Sequence, residues 1–347
     1  MVTNILTKIT ADLQSGQSID DNNAEEFLDA LISETEQKPI AELLRAWHYK
    51  GITSDEIYLV ASILRRRMNR VNSKHKTFVD IVGTGASKSK TFNVSTAAAF
   101  VVAGADVPVA KHGNKAATSN SGSADVLAEL GIDPATDRDT AEENLHKINI
   151  CFMFAPKYHH LSSTLATVRR NLGFPTIFNC VGPLCNPASA PHQLIGVWDK
   201  ELVPKMATAL SRLGTKKSWI VHGEDGLDEI SITGPTYVAQ INGTNIREFQ
   251  IEPSDYFLRS GSVSDLSVTN PYESAQIIRR ILRNEMAGTS AESIVLINSM
   301  AALCLTGRAR TIKDSFAIAT RSIRDGYAMN KFEQLVSGTN KQNRHKI

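Results

Sequence analysis

The chain has 347 residues, 42% of them hydrophobic and 21% charged, the balance of a folded, water-soluble protein long enough for two domains. A formal net charge of +2 argues against the broad basic face of a nucleic-acid binder while leaving room for a local basic pocket. Cys151, Cys180, Cys185 and Cys304 lack zinc-type spacing and sit among apolar neighbours, which predicts buried free thiols in a reducing compartment.

Residues 1–16 alternate apolar and polar types without a signal-peptide core. The most apolar stretch, 97–110, is broken by Gly104, Asp106 and Pro108, well short of the roughly 18 apolar residues that a membrane span needs. A soluble, cytoplasmic protein with no membrane partner is expected.

Residues 1–70 read as helices only. Ile5, Ile9 and Leu13 recur at four-residue spacing, and Phe27, Leu28, Ala30, Leu31 and Ile32 make the next stripe. Two further helices are predicted at 41–47 and 57–67, divided by a stop and cap in Gly51-Ile52-Thr53-Ser54-Asp55. Four short helices hold little interior, so they should pack on the rest of the chain or on a second copy of it. From residue 77 the pattern alternates. Strands are predicted at 77–82, 107–110, 148–154, 193–197 and 218–221, and helices at about 95–105 and 123–130, with a polar one running to 172. Two closely spaced strands at 229–232 and 237–241 suggest a hairpin, and three helices at 271–284, 292–305 and 312–326 close the chain. The basic tail at 341–346 reads as frayed and solvated. The fold class is therefore α/β, a mostly parallel central sheet flanked by helices. A small all-helical domain covers 1–75, with part of 165–190 packed on it, ahead of an α/β domain at 76–347.

Four segments carry chemistry. Gly83-Thr84-Gly85 ends the first strand and lets backbone approach an anion closely. Thr91, Asn93, Ser95 and Thr96 follow at the start of a helix, whose bare N–H groups favour phosphate. Alone, such a turn would be a turn with a cap; the cluster of hydroxyl and amide side chains points to phosphate. Lys111-His112-Gly113-Asn114, with Ser119 and Ser123 beyond, repeats the device, so a ligand with phosphates at both ends fits the edge of the sheet. His112 is open to either a packed or a site role. Asp228-Glu229 offers two hard carboxylates suited to Mg²⁺. Arg169-Arg170 near a helix end serves either the helix dipole or a substrate carboxylate.

With these segments in order, and with Ser121-Gly122-Ser123, Thr176-Ile177-Phe178-Asn179 and Gly182-Pro183-Leu184 between them, the chain resembles the anthranilate phosphoribosyltransferases over nearly its whole length. The resemblance implies transfer of a phosphoribosyl group from phosphoribosyl pyrophosphate to the amine of anthranilate in tryptophan biosynthesis, by a homodimer joined through the helical domain, with two Mg²⁺ ions. It implies donor contacts from Gly83, Thr91, Asn93, Ser95, Thr96, Lys111, Ser119 and Ser123, and acceptor contacts from Gly83, Asn114, His159 and Arg169. Ser95, Asp228 and Glu229 are implied for the metal, and no general base is implied. One stretch departs from the family: Ala86-Ser87-Lys88, with Lys90 beyond, stands where Gly-Asp-Gly is usual. Two rival readings are a pyrimidine-nucleoside phosphorylase, which shares this general architecture, and a non-catalytic relative that binds nucleic acid.

Overall fold

The computed structural model describes residues 5–87, 89–115, 121–256 and 258–343. The chain opens with helices α1 (Ile5–Gln14), α2 (Ala24–Ser33), α3 (Gln37–Lys50) and α4 (Ser54–Arg67). Ile9 and Leu13 of α1 and Phe27, Leu28 and Leu31 of α2 are buried as the spacing predicts, while Leu6 takes the buried place expected of the half-buried Ile5, and Ala30 and Ile32 are half-buried. Thr53 caps α4 through reciprocal hydrogen bonds with Glu56. Glu56 also meets the Lys50 ammonium at 2.9 Å, both side chains buried, which fastens α3 to α4.

Beyond them, β1 (Val79–Gly83), β2 (Val109–Gly113), β3 (Ile150–Phe154), β4 (His192–Gly196) and β5 (Lys217–Gly223) run parallel. β6 (Thr236–Asn242) and β7 (Asn245–Ile251) add an antiparallel edge. The seven strands form one sheet in the order β3-β2-β1-β4-β5-β6-β7. Helix α5 (Val94–Gly104) follows β1, and α6 (Ser123–Glu129) and α7 (Arg138–Ile148) follow β2. Three more, α8 (Ala155–Tyr158), α9 (Ser163–Leu172) and α10 (Ile177–Leu184), join β3 to β4, and α11 (Leu202–Arg212) joins β4 to β5. The chain ends in α12 (Pro271–Leu282), α13 (Ser290–Leu305), α14 (Phe316–Arg324) and α15 (Tyr327–Asn343).

One core lies under α5 and α12–α15, against Ile81, Val109, Leu194 and Trp219 of the sheet. The other lies under α4, α10 and α11, against Ile195, Ile220 and Ala239. Helices α1–α3 belong to this second core, together with Leu165 and Val168 of α9. The four N-terminal helices thus pack on the rest of the chain, as their thin interior requires. From β1 the chain winds outward to β2 and β3, then returns to pair β4 with the other side of β1, from Val79↔His192 to Gly83↔Gly196. That reversal opens a crevice past the carboxyl ends of β1 and β4, the place where such sheets bind ligands.

The structure corrects several expectations. Residues 229–232 form no strand; the hairpin joins β6 to β7 through Gly243-Thr244. The Ile230 N–H donates to Asn298 Oδ1 at 3.0 Å, and its carbonyl accepts from Asn298 Nδ2 at 3.0 Å. A side chain of α13 therefore supplies what a neighbouring strand would have supplied. Gly243, at φ +59° in the first central position of the two-residue turn, is the hairpin signal that the sequence carries. The polar helix expected up to 172 is two helices, α8 and α9, and Ser162 Oγ caps the second by accepting from Leu165 N at 3.1 Å. Four helices rather than three close the described chain, because Gly326 at φ +78° parts α14 from α15. The tail's basic side chains at 341–346, like Lys88 and Ser119, lie outside the described residues.

Replacing Asn298 by Leu should strand both backbone groups of Ile230 and lower stability by about 2–4 kcal/mol. Urea denaturation measures this, and a midpoint equal to that of the native protein would refute the role given to Asn298.

Candidate active site

A cavity of about 530 Å³ lies past the ends of β1, β2 and β3, closed on one side by the loop after β5 and on the other by α9 and α10. Gly83, Thr84 and Gly85 form its first edge. A Cβ at Gly83 would stand 2.6 Å from Asp228 Oδ2, so only glycine lets that carboxylate approach. Gly85, at φ +66°, donates its N–H to Asp228 Oδ2 at 2.9 Å, and Thr84 Oγ1 donates to the same oxygen at 3.4 Å. The turn expected to receive an anion holds an internal one, at the Gly85 amide.

Thr91, Asn93 and Ser95 line the same wall as α5 begins. Asn93 is a junction. Its Oδ1 accepts from Ser121 Oγ at 2.7 Å and Ser274 Oγ at 2.9 Å, and its Nδ2 donates to the Ser121 carbonyl at 3.2 Å. Thr96 differs from its neighbours: it is fully buried, is absent from the cavity lining, and its hydroxyl has no hydrogen-bond partner among the described residues. Its side chain is not placed to touch a ligand there.

Past β2, Lys111, Asn114 and Ser123 reach the cavity. A Cβ at Gly113 would stand 2.2 Å from Ser123 Oγ, so that glycine makes space for the hydroxyl. The Lys111 ammonium donates to the Ile81 carbonyl and to Ser95 Oγ, the latter at 3.1 Å. Beneath it lies Asp80, fully buried, which accepts from His112 N at 3.1 Å and from Asn186 Nδ2 at 2.7 Å. Burial pushes the Asp80 carboxyl up to about 6 against the pull of Lys111. Asp80 and Asn186 were not singled out as site residues, because their side chains act below the cavity rather than in it.

Asp228 and Glu229 close the far side. Burial raises both carboxyls, and the neighbouring Asp228 helps to lift Glu229 to about 8, opposed by Lys111 and the Ser95 backbone. Two half-buried carboxyls that repel each other gain from a divalent cation, and their oxygens with Ser95 Oγ are donors of the hard type that suits Mg²⁺. Residues of this loop also rest on a glycine of β4: a Cβ at Gly196 would come within 1.7 Å of the Asp228 carbonyl.

The remaining wall is apolar with isolated polar atoms. His159 follows α8, its ring 5.1 Å from that of His112. Burial lowers both imidazoles, His159 to about 4, so both are neutral near pH 7. Arg169 reaches in from α9 with its guanidinium 5.2 Å from the Phe178 ring centre, and its Nε has no hydrogen-bond partner among the described residues. Burial lowers it to about 10, still fully cationic near pH 7. Asn179, which the sequence places inside a motif but not in the site, lines the cavity and donates to the Thr84 carbonyl at 3.3 Å. Apart from Thr96, and Ser119 outside the described residues, every site residue expected from the sequence lines this one cavity.

Residues 75–329 match the glycosyl transferase family, a/b domain. The chain is 40% identical over 340 residues to an anthranilate phosphoribosyltransferase of Pelotomaculum thermopropionicum, covering 98% of this chain and 97% of the relative. Its structure is similar to that of anthranilate phosphoribosyltransferase from Thermus thermophilus, with TM-score 0.87 and 32% identity over 96% of this chain and 99% of the other. It is likewise similar to the Saccharomyces cerevisiae enzyme solved with phosphoribosyl pyrophosphate and Mg, with TM-score 0.88 and 29% identity over 98% and 99% of the two chains.

Gly196→Ala should force the Asp228 backbone to move and lower stability by about 1–3 kcal/mol, the usual cost of overpacking. Equilibrium denaturation tests it; an unchanged midpoint would mean that the loop yields without strain.

Proposed function

The chain belongs to the anthranilate phosphoribosyltransferase family, and from that premise we propose how its cavity performs the family's reaction. The phosphoribosyl group passes from phosphoribosyl pyrophosphate to the amine of anthranilate, and pyrophosphate leaves, a step of tryptophan biosynthesis. The observation that carries this reading is the meeting, in one cavity, of the Asp228–Glu229 pair, the Lys111 ammonium and two strand ends, with an unpaired Arg169 Nε on another wall.

In the reaction the C1–O bond breaks with its electron pair going to pyrophosphate, the amine nitrogen forms the new bond to C1, and the nitrogen then loses a proton. The aromatic amine is neutral and nucleophilic, so no strong general base is needed. Holding amine and C1 in line supplies much of the rate. Gly83, Thr91, Asn93, Ser95, Lys111 and Ser123 line the donor end; Thr96 contributes only through its backbone at the start of α5. Ser119 belongs to the same group by sequence. Gly83, Asn114, His159 and Arg169 form the acceptor end, where Arg169 grips the carboxylate. The neutral His159 places no second cation near it.

Ser95, Asp228 and Glu229 would hold Mg²⁺, in two ions, and the metal would stabilise charge on the departing pyrophosphate. The adjacent carboxyls, both raised by desolvation, support this fit. The helical part, residues 1–75 with part of 165–190 packed on it, acts as one domain through which two copies pair, and the remainder, 76–347, as the α/β domain. Tyr49 on α3, 83% exposed, suits such a face. Four buried free thiols suit the cytoplasm, and among the described residues no helix is long and apolar enough to cross a membrane.

Mixing the protein with anthranilate, phosphoribosyl pyrophosphate and Mg²⁺ should extinguish anthranilate fluorescence. Asp228→Ala with Glu229→Ala should slow this by about 100-fold or more, and Arg169→Ala should raise the KM for anthranilate by roughly tenfold or more. Phosphate-dependent cleavage of a pyrimidine nucleoside without loss of anthranilate would overturn the reading in favour of a phosphorylase, and salt-sensitive binding of single-stranded DNA without turnover would favour a nucleic-acid binder.

A further inference from the structure

Among the described residues, only Asp228 and Glu229 bring carboxylates to the cavity, while Lys90, Lys111, Lys115 and Arg169 bring cations. Lys111 is already engaged. Its ammonium donates to Ile81 and Ser95 and answers the charges of Asp80, Glu229 and Asp228. Arg169 stands on the helical wall beside Phe178. Lys90 is different. It lines the cavity, is exposed, and its side chain makes no hydrogen bond or ion pair among the described residues.

The base of Lys90 is nevertheless fixed. Its carbonyl accepts from Val268 N at 2.9 Å, and Thr91 forms a β-bridge with Ser267. Three residues earlier, Ser87 Oγ donates to the Gly226 carbonyl at 2.9 Å, two residues before Asp228. The loop is thus tied on one side to the segment that carries the carboxylates and on the other to residues 267–268. A long cationic side chain on an anchored backbone, free of acidic partners among the described residues and lining the same cavity as Asp228 and Glu229, is placed to meet an anionic ligand.

We infer that Lys90 binds the pyrophosphate of the donor directly, taking up part of the leaving group's charge beside the metal site at Asp228 and Glu229. This rests on the function proposed above and names a further residue for it. As the C1–O bond breaks, its electron pair adds charge to pyrophosphate, and an ammonium in contact stabilises that state more than the bound donor. A protein cation at this point also lowers the demand for free Mg²⁺.

The test compares native protein with Lys90→Gln and Lys90→Arg. Lys90→Gln should raise the KM for phosphoribosyl pyrophosphate roughly tenfold, the scale of one charge-assisted hydrogen bond. It should raise the Mg²⁺ concentration for half-maximal rate, and leave the KM for anthranilate and the thermal midpoint unchanged; Lys90→Arg should restore the donor KM. Equal donor KM and equal Mg²⁺ dependence in native and Lys90→Gln proteins overturn the inference. Calorimetric titration with inorganic pyrophosphate and Mg²⁺ separates it from the function itself. Native protein that binds pyrophosphate more tightly than Lys90→Gln, yet does not consume anthranilate, supports Lys90 and rejects the acceptor. Native protein that consumes anthranilate, with equal pyrophosphate binding in both, rejects Lys90 alone.

Discussion

The site depends on how closely the Asp228 backbone lies on the end of the sheet. Its carbonyl sits where a Cβ of Gly196 would be, and its carboxylate where a Cβ of Gly83 would be. These two residues face each other in the parallel register of β1 and β4. Two glycines side by side at adjacent strand ends therefore make the notch through which an acidic loop enters the crevice. Any side chain there would hold the carboxylates away from the ends of β1 and β2, and the cation and phosphate elements would no longer share one cavity.

Charge follows from that approach. Lys111 lies among three carboxyls, Asp80, Asp228 and Glu229, all of which burial pushes toward the neutral form. A divalent ion beside Asp228 and Glu229 would hold both as carboxylates against that push, in an oxygen-rich place. The wall that carries Arg169 has the opposite character. Its histidines are neutral, and its one cation, Arg169, lies against an aromatic ring. The cavity thus has one end lined by raised carboxyls and another lined by a cation and neutral imidazoles.

Much of this was legible in the sequence. Strand runs at 77–82 and 107–110 marked the sheet edge, and Asp228-Glu229 and Lys111, singled out from type and place, line the cavity beyond it, as does Arg169, which the family resemblance rather than the residues alone pointed to. What failed had physical causes. The 229–232 run has strand composition, yet its backbone bonds go to Asn298, almost seventy positions later, and no local pattern announces such a partner. Thr96 lies next to Ser95 on a helix, where neighbouring side chains point about 100° apart, so one faces the cavity while the other is buried. Asp80 and Asn186 matter by supporting Lys111 from below, a relation that only the assembled sheet reveals.

The three-way junction at Asn93 has a further consequence. One amide side chain locks the entrance of α5 to Ser121, just ahead of α6, and to Ser274 of α12. The starts of α5 and α6 therefore cannot drift apart or turn separately. The entropy of arranging them is lost when the chain folds, not when the donor arrives, so this half of the crevice meets its ligand as a finished mould.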